Sequence, residues 1–387
     1  MKYIILVGDG MGDYPVEQLK GRTPLQAANK PNMDSIARNG ACGLARTTPE
    51  GMETGSDIAN LSILGYDPKK YYTGRGPLEA AAIGVKLGSN DVVYRCNLIT
   101  EEGGKLKDYS AGHISSEEGA VLISLLKEKL ASKGVEFYPG VSYRNLLVVR
   151  GETTTKTYPP HDFLSKPIKR YLPDDPMLRS LTLRSKEFLE NHEIHERRRA
   201  SGKNAANMVW FWGGGKIPKM PSFEKKYGLR GSVISAVDLI KGIGIYLGLE
   251  VINVPGATGY LDTNYEGKAS YALSALEKKD FVYLHVEATD EAAHAGDVEL
   301  KIKAIEDFDK RVVGRILDGM QRFDKYRILL ITDHYTPVSV RTHTSEPVPF
   351  AVLPHKKDGV EKFDEVSVRD GSFGVVDGIK LMKAFIK

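Results

Sequence analysis

The sequence predicts an α/β fold in which a mostly parallel sheet is flanked by helices. Three short apolar runs, YIILV from Tyr3, FVYLHV from Phe281 and RILLIT from Arg327, have the length and composition of buried strands. Helix-like segments separate these and other strand-like runs, and that alternation is typical of parallel sheets. Functional groups in open α/β sheets collect beyond the carboxyl ends of the strands, so the residues after the three runs are the first candidates for a site.

The composition narrows the class of protein and of partner. A chain of 387 residues with 41% hydrophobic residues has room for two packed domains. The formal charge, 54 minus 50 or +4, is too small and too interspersed for a nucleic-acid or anionic-membrane partner, but it suits a small anionic substrate. We therefore expect a small-molecule substrate and no nucleic-acid or membrane partner, with homo-oligomerisation left open.

Cysteine usage and hydropathy predict a cytoplasmic location. Cys42 and Cys96 stand in no CxxC spacing, so no disulfide framework is expected, which suits a reducing compartment. No run of about 18 apolar residues is present to span a membrane. The apolar start before Asp9 is too short for the core of a signal peptide.

The middle of the chain, residues 86–200, is predicted to form a smaller α/β domain inserted into a core domain of residues 1–85 and 201–387. The predicted elements of the insertion are strands at 91–99, 135–138 and 144–149 and helices at 116–132 and 177–200. The predicted elements of the core after its first strand are a helix over 24–38 broken at Pro31, a strand over 208–212, a helix over 232–247, a strand over 250–254, a helix over 264–277 and a C-terminal edge helix. The arginine run 197–199 is expected on a solvated helix face.

Acidic residues and histidines follow the first and third apolar runs. Asp9 stands between two glycines directly after the first run, and Asp333 and His334 follow the third, with His343 nine residues further on. Taken alone, Asp9 fits an ordinary turn equally well. The surrounding glycines do not form the dinucleotide-binding fingerprint, because Asp9 occupies the tight turn.

The second run leads into Asp290 and His294, which are four residues apart and therefore share one face of a helix. A solvated pair on a helix surface is the ordinary explanation of this spacing. The repetition of the pattern after three strands favours a common site instead.

Ser56 begins the apolar segment SDIANLSIL after Gly55. One interpretation is a helix N-cap. The other is a nucleophile, because a hydroxyl at a helix N-terminus lies where negative charge is stabilised, and a nearby metal would favour its alkoxide. Arg75, between two glycines, either binds a carboxylate or phosphate or is a solvated turn residue.

Carboxylates and imidazoles at one sheet edge predict a site for two divalent cations. The candidate ligands form two sets, Asp9, Ser56, Asp333 and His334 in one and Asp290, His294 and His343 in the other. Mixed oxygen and nitrogen ligation suits zinc, manganese or cobalt better than calcium. Paired metals stabilise the entering and leaving oxygens of a phosphoryl transfer.

The motifs resemble the alkaline phosphatase superfamily and, within it, the archaeal-type cofactor-independent phosphoglycerate mutases. The resemblance covers essentially the whole chain, and its most specific motifs are VGDGMGD, TGSDIANLSILGYDP, YYTGRGPLEAA, DEAAH and TDH followed by RTHT. It implies an alkaline-phosphatase-like core with the inserted domain as a cap. It also implies two bound metals, most often manganese with cobalt, zinc or magnesium as alternatives, which flank a serine that is phosphorylated during turnover. By position, the two sets above would be the ligands and Ser56 the nucleophile.

The activity that the resemblance implies is the interconversion of 2- and 3-phosphoglycerate without 2,3-bisphosphoglycerate. The substrate-binding candidates are His113 and Lys203, by resemblance, and Arg75, Arg95 and Arg144, on chemical grounds alone. We expect the cap to close by hinge motion near residues 86 and 200 and to exclude water, which would otherwise hydrolyse the phosphoserine.

Two other functions stay open on the sequence alone. A metal-dependent phosphatase or phosphodiesterase acting on a small phosphate ester would use the same core, because the ligand set is common to the superfamily. A non-catalytic, metal-stabilised protein is the second alternative, and the complete ligand set with an intact Ser56 disfavours it.

Overall fold

The computed structural model describes residues 1–151 and 154–387 and divides the chain into two compact units. Unit 1 contains Met1–Tyr72 and Lys219–Lys387, and unit 2 contains Thr73–Pro218. The predicted insertion, 86–200, is shorter than unit 2 by 13 residues at its start (86 minus 73) and 18 at its end (218 minus 200). The difference arises because a helix at 75–82 and a strand at 208–215 pack with the sheet of unit 2.

Strands and helices alternate along most of the described chain. The strands are β1 (Lys2–Gly8), β2 (Ala41–Arg46), β3 (Val92–Glu102), β4 (Lys105–Asp108), β5 (Val135–Val141), β6 (Arg144–Val149), β7 (Met208–Gly215), β8 (Gly231–Ile234), β9 (Glu250–Val251), β10 (Phe281–Val286), β11 (Tyr326–Ile331), β12 (Val348–Leu353) and β13 (Gly374–Asp377). The α-helices are α1 (Pro24–Ala27), α2 (Pro31–Asn39), α3 (Ser56–Ile63), α4 (Pro68–Tyr71), α5 (Arg75–Ala82), α6 (Ser116–Leu130), α7 (Pro176–Leu189), α8 (Ile194–Ala200), α9 (Phe223–Tyr227), α10 (Asp238–Tyr246), α11 (Tyr265–Lys278), α12 (Ala288–Ala295), α13 (Val298–Phe308), α14 (Gly314–Met320) and α15 (Gly378–Ile386). None of these helices is both long and apolar enough to cross a membrane.

Unit 1 contains an eight-stranded sheet in the order β13-β2-β12-β11-β1-β10-β8-β9. Its pairings are parallel except for the two made by β12. In the registers, Gly8 of β1 lies opposite Val286 of β10, and Val7 lies opposite Ile331 of β11. The carboxyl ends of these three strands therefore meet at one edge of the sheet, and the predicted α/β fold class is confirmed.

The central strands of unit 1 are buried because both faces of the sheet carry apolar side chains. Ile4 and Leu6 of β1 are fully buried in a core that includes residues of α2, α11, α13 and α14. A second group of helices, α3, α10 and α15, packs together around α3. A strand that is apolar at every position is typical of a parallel sheet covered on both faces.

Unit 2 contains an antiparallel five-stranded sheet in the order β4-β3-β6-β5, with β7 also paired to β3. The helices α6 and α7 pack against β5 and β7 and against each other, and α5 packs on β3 and β7. Its core contains Phe137 and Phe211, which are fully buried.

Four local predictions are wrong. The C-terminal edge helix, predicted over 370–385, begins only at Gly378, because Gly374–Asp377 pairs with β2 as strand β13. The predicted helix over 232–247 begins only at Asp238, because Gly231–Ile234 pairs with β10 and β9 as strand β8. The predicted helix over 177–200 is two helices, α7 and α8. Arg198 is 2% exposed and not solvated, whereas its neighbours Arg197 and Arg199 are exposed. The predicted break at Pro31 is confirmed, since it separates α1 from α2.

Candidate metal centre

The sheet order of unit 1 brings three acidic side chains to one edge. Asp9 directly follows β1, and its N–H donates to the carbonyl of Val286 at the end of β10 (2.9 Å). Asp333 lies two residues after the end of β11. Asp290 is on α12, the helix that follows β10. All three carboxylates are buried.

Asp9, Asp333 and His334 form the first cluster, in which one ligand atom from each lies within 4.8 Å of the others. His334 Nε2 is 3.4 Å from Asp9 Oδ1 and 3.6 Å from Asp333 Oδ2. Asp9 Oδ1 is buried and has no hydrogen-bond partner among the described residues. Because a buried, unpaired carboxylate oxygen is costly, this oxygen fits a bound cation.

Ser56 lies beside the first cluster. It is the first residue of α3, and the N-cap position is Gly55, so the predicted N-cap role of Ser56 is wrong. Its Oγ is instead 3.2 Å from His334 Nε2. The Asn60 side chain, one turn further along α3, donates to the Ser56 carbonyl (2.7 Å) and to Asp333 Oδ2 (2.8 Å). The start of α3 is therefore joined to the cluster.

Asp290, His294 and His343 form the second cluster, again with ligand atoms within 4.8 Å of one another. His294 Nε2 is 3.0 Å from Asp290 Oδ2 and 3.1 Å from His343 Nε2. The Nδ1 atoms of His294 and His343 lie 3.0 Å and 3.4 Å from the carbonyls of Arg341 and Thr54. Because a carbonyl can only accept, each Nδ1 carries its hydrogen, and each Nε2 faces Asp290, where a bound cation would take the place of the Nε2 proton.

Thr336, which was not predicted, joins the two clusters. Its hydroxyl donates to Asp290 Oδ1 and lies 3.2 Å from His334 Nδ1. Since that hydroxyl hydrogen is used on Asp290, His334 Nδ1–H donates to Thr336 Oγ1, and His334 Nε2 keeps its lone pair for the first cluster. A sequence signal for this role is lacking, because Thr336 has no motif of its own.

Burial and like charges shift the pKa values of these groups. Burial, followed by the charges of Asp333 and Asp290, raises the pKa of Asp9 well above its ordinary value. Burial lowers the pKa of His334 to about 4, so its ring is neutral at neutral pH. Burial acts against ionisation of Asp290, but hydrogen bonds from the two histidines of the second cluster hold its pKa well below the ordinary value. A divalent cation at each cluster would offset this repulsion between carboxylates.

Unit 2 carries the five predicted substrate-binding residues, and three of them are close together. Arg95 is 8% exposed, pairs with Glu79 (2.7 Å) and lies over the Trp212 ring, 4.7 Å from its centroid. The Arg75 guanidinium lies over the same ring at 5.5 Å. Arg144 begins β6 and lies opposite Asn97, two residues along β3 from Arg95. Burial lowers the pKa of Arg95, the Glu79 carboxylate opposes this, and the charges of Arg75 and Arg144 lower it further. Arg75 begins α5 and is not in a free loop.

His113 lies in a turn with left-handed backbone, with φ of 50° at Ala111 and 48° at His113. Non-glycine residues in this region are strained and cluster at functional sites. Asp108 holds the turn, because its carboxylate accepts the N–H of Gly112 (2.7 Å) and the side-chain amide of Asn204 (2.8 Å). Asn204 follows Lys203, so the two predicted residues, His113 and the exposed Lys203, lie on segments that are joined through Asp108.

The buried Arg198 and a row of aromatic rings lie beside these residues and were not predicted. Arg198 donates to the carbonyls of Ala111 and Asn204. The rings are in edge contact in the order His113, Tyr143, Tyr109, His161 and Trp212, at centroid distances of 6.2, 6.1, 6.3 and 5.4 Å. The contacts depend on pairing between distant strands, which single residues in the sequence do not reveal.

The chain is similar along its full length to curated proteins of one name. A protein from Methanothrix thermoacetophila named 2,3-bisphosphoglycerate-independent phosphoglycerate mutase is 54% identical over 392 residues, covering 100% of both chains. A protein from Geobacter sulfurreducens, named as a probable mutase of the same kind, is 52% identical over 397 residues, again covering 100% of both. A sequence model of the family described as 2,3-bisphosphoglycerate-independent phosphoglycerate mutase matches residues 37–195.

Solved structures agree with the fold. A protein from Pyrococcus horikoshii is 31% identical, with a TM-score of 0.85, over 100% of this chain and 96% of the other. The cofactor-independent phosphoglycerate mutase of Thermoplasma acidophilum is 29% identical, with a TM-score of 0.65, over 100% of this chain and 99% of the other. The resemblance predicted from the motifs is thereby confirmed. With full-length relatives more than half identical to it, the chain belongs to the 2,3-bisphosphoglycerate-independent phosphoglycerate mutase family.

Proposed function

We propose that the reaction of this family, the interconversion of 2-phosphoglycerate and 3-phosphoglycerate, runs in this chain through a phosphoserine at Ser56. The first and second clusters would each hold one divalent cation. The observation that carries the proposal is the contact between Ser56 Oγ and His334 Nε2, 3.2 Å apart at the edge of the first cluster. A hydroxyl that is not used for capping the helix is available as a nucleophile.

Each half of the reaction is a phosphoryl transfer. Ser56 Oγ attacks the phosphorus, the bond from phosphorus to the substrate oxygen breaks, and the proton lost by the serine goes to that oxygen, which becomes a hydroxyl of the glycerate that stays bound. In the second half the other hydroxyl of glycerate attacks the phosphorus, the bond from phosphorus to Ser56 Oγ breaks, and the proton lost by that hydroxyl returns to the serine oxygen. When bound, the cations neutralise the phosphoryl oxygens and favour the serine alkoxide.

The ligand atoms support a transition metal over calcium. Asp9, Asp333 and His334, with Ser56, offer mixed oxygen and nitrogen ligation, as do the three residues of the second cluster. We propose manganese at both sites, with cobalt, zinc and magnesium as the alternatives that an activity assay separates.

A group of arginines in unit 2, Arg75, Arg95 and Arg144, supports a role for this unit in binding the anionic groups of phosphoglycerate. Both oxygens of Glu79 are bonded to Arg95, so Arg95 is fixed in place beneath Trp212, and Arg75 shares the same ring. We propose that Arg75 and Arg144 contact the carboxylate or phosphate directly. His113 and Lys203 would act as further donors to the same anion.

The test follows product and phosphate together. The protein, treated with chelator and reloaded with manganese, cobalt, zinc or magnesium, is given 3-phosphoglycerate without 2,3-bisphosphoglycerate. We expect 2-phosphoglycerate with little free phosphate, highest activity with manganese, and phosphorylated Ser56 in peptides from rapidly quenched samples.

A matched serine supplies the control. Ser62 lies on the same helix, is fully buried, and its hydroxyl has no hydrogen-bond partner in the described structure. We expect S56A to abolish the reaction and S62A to retain it. Free phosphate as the main product would instead indicate a phosphatase, and activity in S56A would overturn the nucleophile assignment.

A further inference from the structure

A third histidine of unit 1, His285, faces the first cluster. It lies on β10 directly opposite Val7 of β1 and is fully buried. Its Nε2 is 3.1 Å from Asp9 Oδ2 and 4.0 Å from Asp333 Oδ2. Neither this Nε2 nor Asp9 Oδ1 has an aligned hydrogen bond within the described residues. A buried imidazole nitrogen this close to two carboxylates requires a role.

The surroundings of the ring decide which nitrogen carries the hydrogen. A lone pair on Nε2 would face two carboxylates and be repelled, so Nε2–H is favoured. On the other side, Nδ1 lies 3.4 Å from Ser235 Oγ, which already accepts the N–H of Val237 (3.0 Å). The Ser235 hydroxyl hydrogen is thus free to be donated to Nδ1. Both contacts select the same tautomer of His285.

The two oxygens of Asp9 face different partners. Oδ2 faces His285 Nε2, and Oδ1 faces His334 Nε2 at 3.4 Å. A carboxylate held at one oxygen by a neutral donor presents its other oxygen in a fixed direction. We propose that His285 is a positioning residue, which donates Nε2–H to Asp9 Oδ2 and thereby directs Asp9 Oδ1 as the ligand of the first metal. The inference rests on the proposed function, since it requires the first cluster to be a metal site.

Two amide variants test whether the hydrogen-bond donor at Nε2, and not the size of the His285 side chain, is what matters. The amide nitrogen of glutamine can occupy the position of His Nε2, whereas that of asparagine reaches only the position of Nδ1. H285Q therefore keeps a donor to Asp9, and H285N keeps only a partner for Ser235. His195 in unit 2 is a matched control, because it is fully buried and both its ring nitrogens are without hydrogen bonds in the described structure.

The experiment measures manganese binding by electron paramagnetic resonance, without substrate. An H343A background removes a ligand of the second cluster, so that the titration reports the first cluster. A D333N background removes a ligand of the first cluster, so that the titration reports the second cluster. We expect H285N to weaken manganese binding in the H343A background by about 10–100-fold, the usual effect of losing such a partner. H285Q should restore most of the affinity, H195N should change nothing, and neither His285 variant should affect binding in the D333N background.

Three results would overturn the inference. They are equal affinity of H285N and its parent, equal loss in H285N and H285Q, or equal loss in both backgrounds. Because no substrate is present, the outcome is separate from that of the mutase assay: a protein that binds manganese as expected but releases phosphate refutes the proposed reaction and leaves the role of His285 intact.

Discussion

Lys301 offers the sharpest test of how unit 1 holds its candidate site together. It lies on α13, is fully buried, and its Nζ donates to the carbonyl of Gly12 (3.0 Å), Asp13 Oδ2 (2.8 Å) and the carbonyl of Thr336 (2.9 Å). The first two acceptors follow β1 and the third follows β11. One ammonium group thus joins the segment that carries Asp9 to the segment after His334.

Replacement by methionine, K301M, keeps the length of the side chain and removes the charge. Asp13 is then a buried carboxylate without a cation, and two carbonyls lose their donor. Breaking a buried ion pair from one side costs about 3–5 kcal/mol, so we expect that loss in the free energy of unfolding. Urea titrations followed by far-UV circular dichroism measure it.

A second variant tests whether the cost comes from the unpaired charge. In D13N/K301M the asparagine Oδ1 can still accept the N–H groups of Tyr14 and Val338, which lie 2.8 and 3.3 Å from Asp13 Oδ1, and no unpaired charge is left buried. We expect this double variant to be more stable than K301M. The control is K303M, since Lys303 lies on the same helix with a 66% exposed side chain, and it should cost under about 0.5 kcal/mol. A K301M loss below about 1 kcal/mol, or a double variant no more stable than K301M, would refute the reasoning.

Three further predictions concern other contacts. Burial raises the pKa of Glu365 from 4.5 to about 7, so the folded state keeps a proton that the unfolded state loses. In urea titrations at successive pH values, the stability of the wild type relative to E365Q should fall by at most about 3 kcal/mol as pH rises from about 4.5 to 7 and then stay constant, and a constant difference over the whole range would contradict it. T336V should weaken manganese binding at both clusters by about 10–100-fold and T336S should not, and equal binding by the two variants would contradict the bridging role. D108A should raise the KM for phosphoglycerate by about 5–30-fold, which is equivalent to about 1–2 kcal/mol of lost binding energy, and it should affect kcat less. An unchanged KM would show that the His113 turn does not contribute to substrate binding.

The features that the sequence predicts well depend on local composition. β1, β10 and β11 are runs of apolar residues followed at once by polar ones, so both the strands and the residues after them can be found without knowing their partners. Asp9, Asp290 and Asp333 are for this reason candidates from the sequence alone. The break at Pro31 is equally local, because proline has no N–H to donate within a helix.

The features that the sequence does not predict depend on pairing between distant residues. The four residues of β8 are too few to distinguish a strand from a helix by periodicity, and only their pairing with β10 decides. β12 runs antiparallel between β11 and β2, which no local pattern indicates. From the sequence alone, His285 cannot be told apart from an ordinary buried residue of a strand. Only the register of β10 on β1 places its ring beside Asp9.

The carboxylates of Asp9, Asp290 and Asp333 share one arrangement, in which at least one uncharged group donates to each of them. These donors are Gly10 N–H and the Asn60 amide on Asp333, the Thr336 hydroxyl on Asp290, and, as proposed, the His285 ring on Asp9. Asp290 also accepts hydrogen bonds from the two histidines of its cluster, whose Nε2 protons a bound cation would displace. No lysine or arginine among the described residues pairs with these three carboxylates. Lys301 is buried nearby but pairs with Asp13 instead.

A carboxylate held by uncharged donors keeps its negative charge, which a cationic donor would neutralise. A hydrogen bond from an amide or hydroxyl fixes the direction of a carboxylate without neutralising it, whereas a lysine would compete with a metal for the same charge. The negative charge of Asp9, Asp290 and Asp333 is therefore left for the divalent cations to balance. Ions that bind, as proposed, to the clusters of the folded chain and not to the unfolded chain would add their binding energy to the stability of unit 1. We accordingly expect metal ions to stabilise the same unit whose chemistry they support.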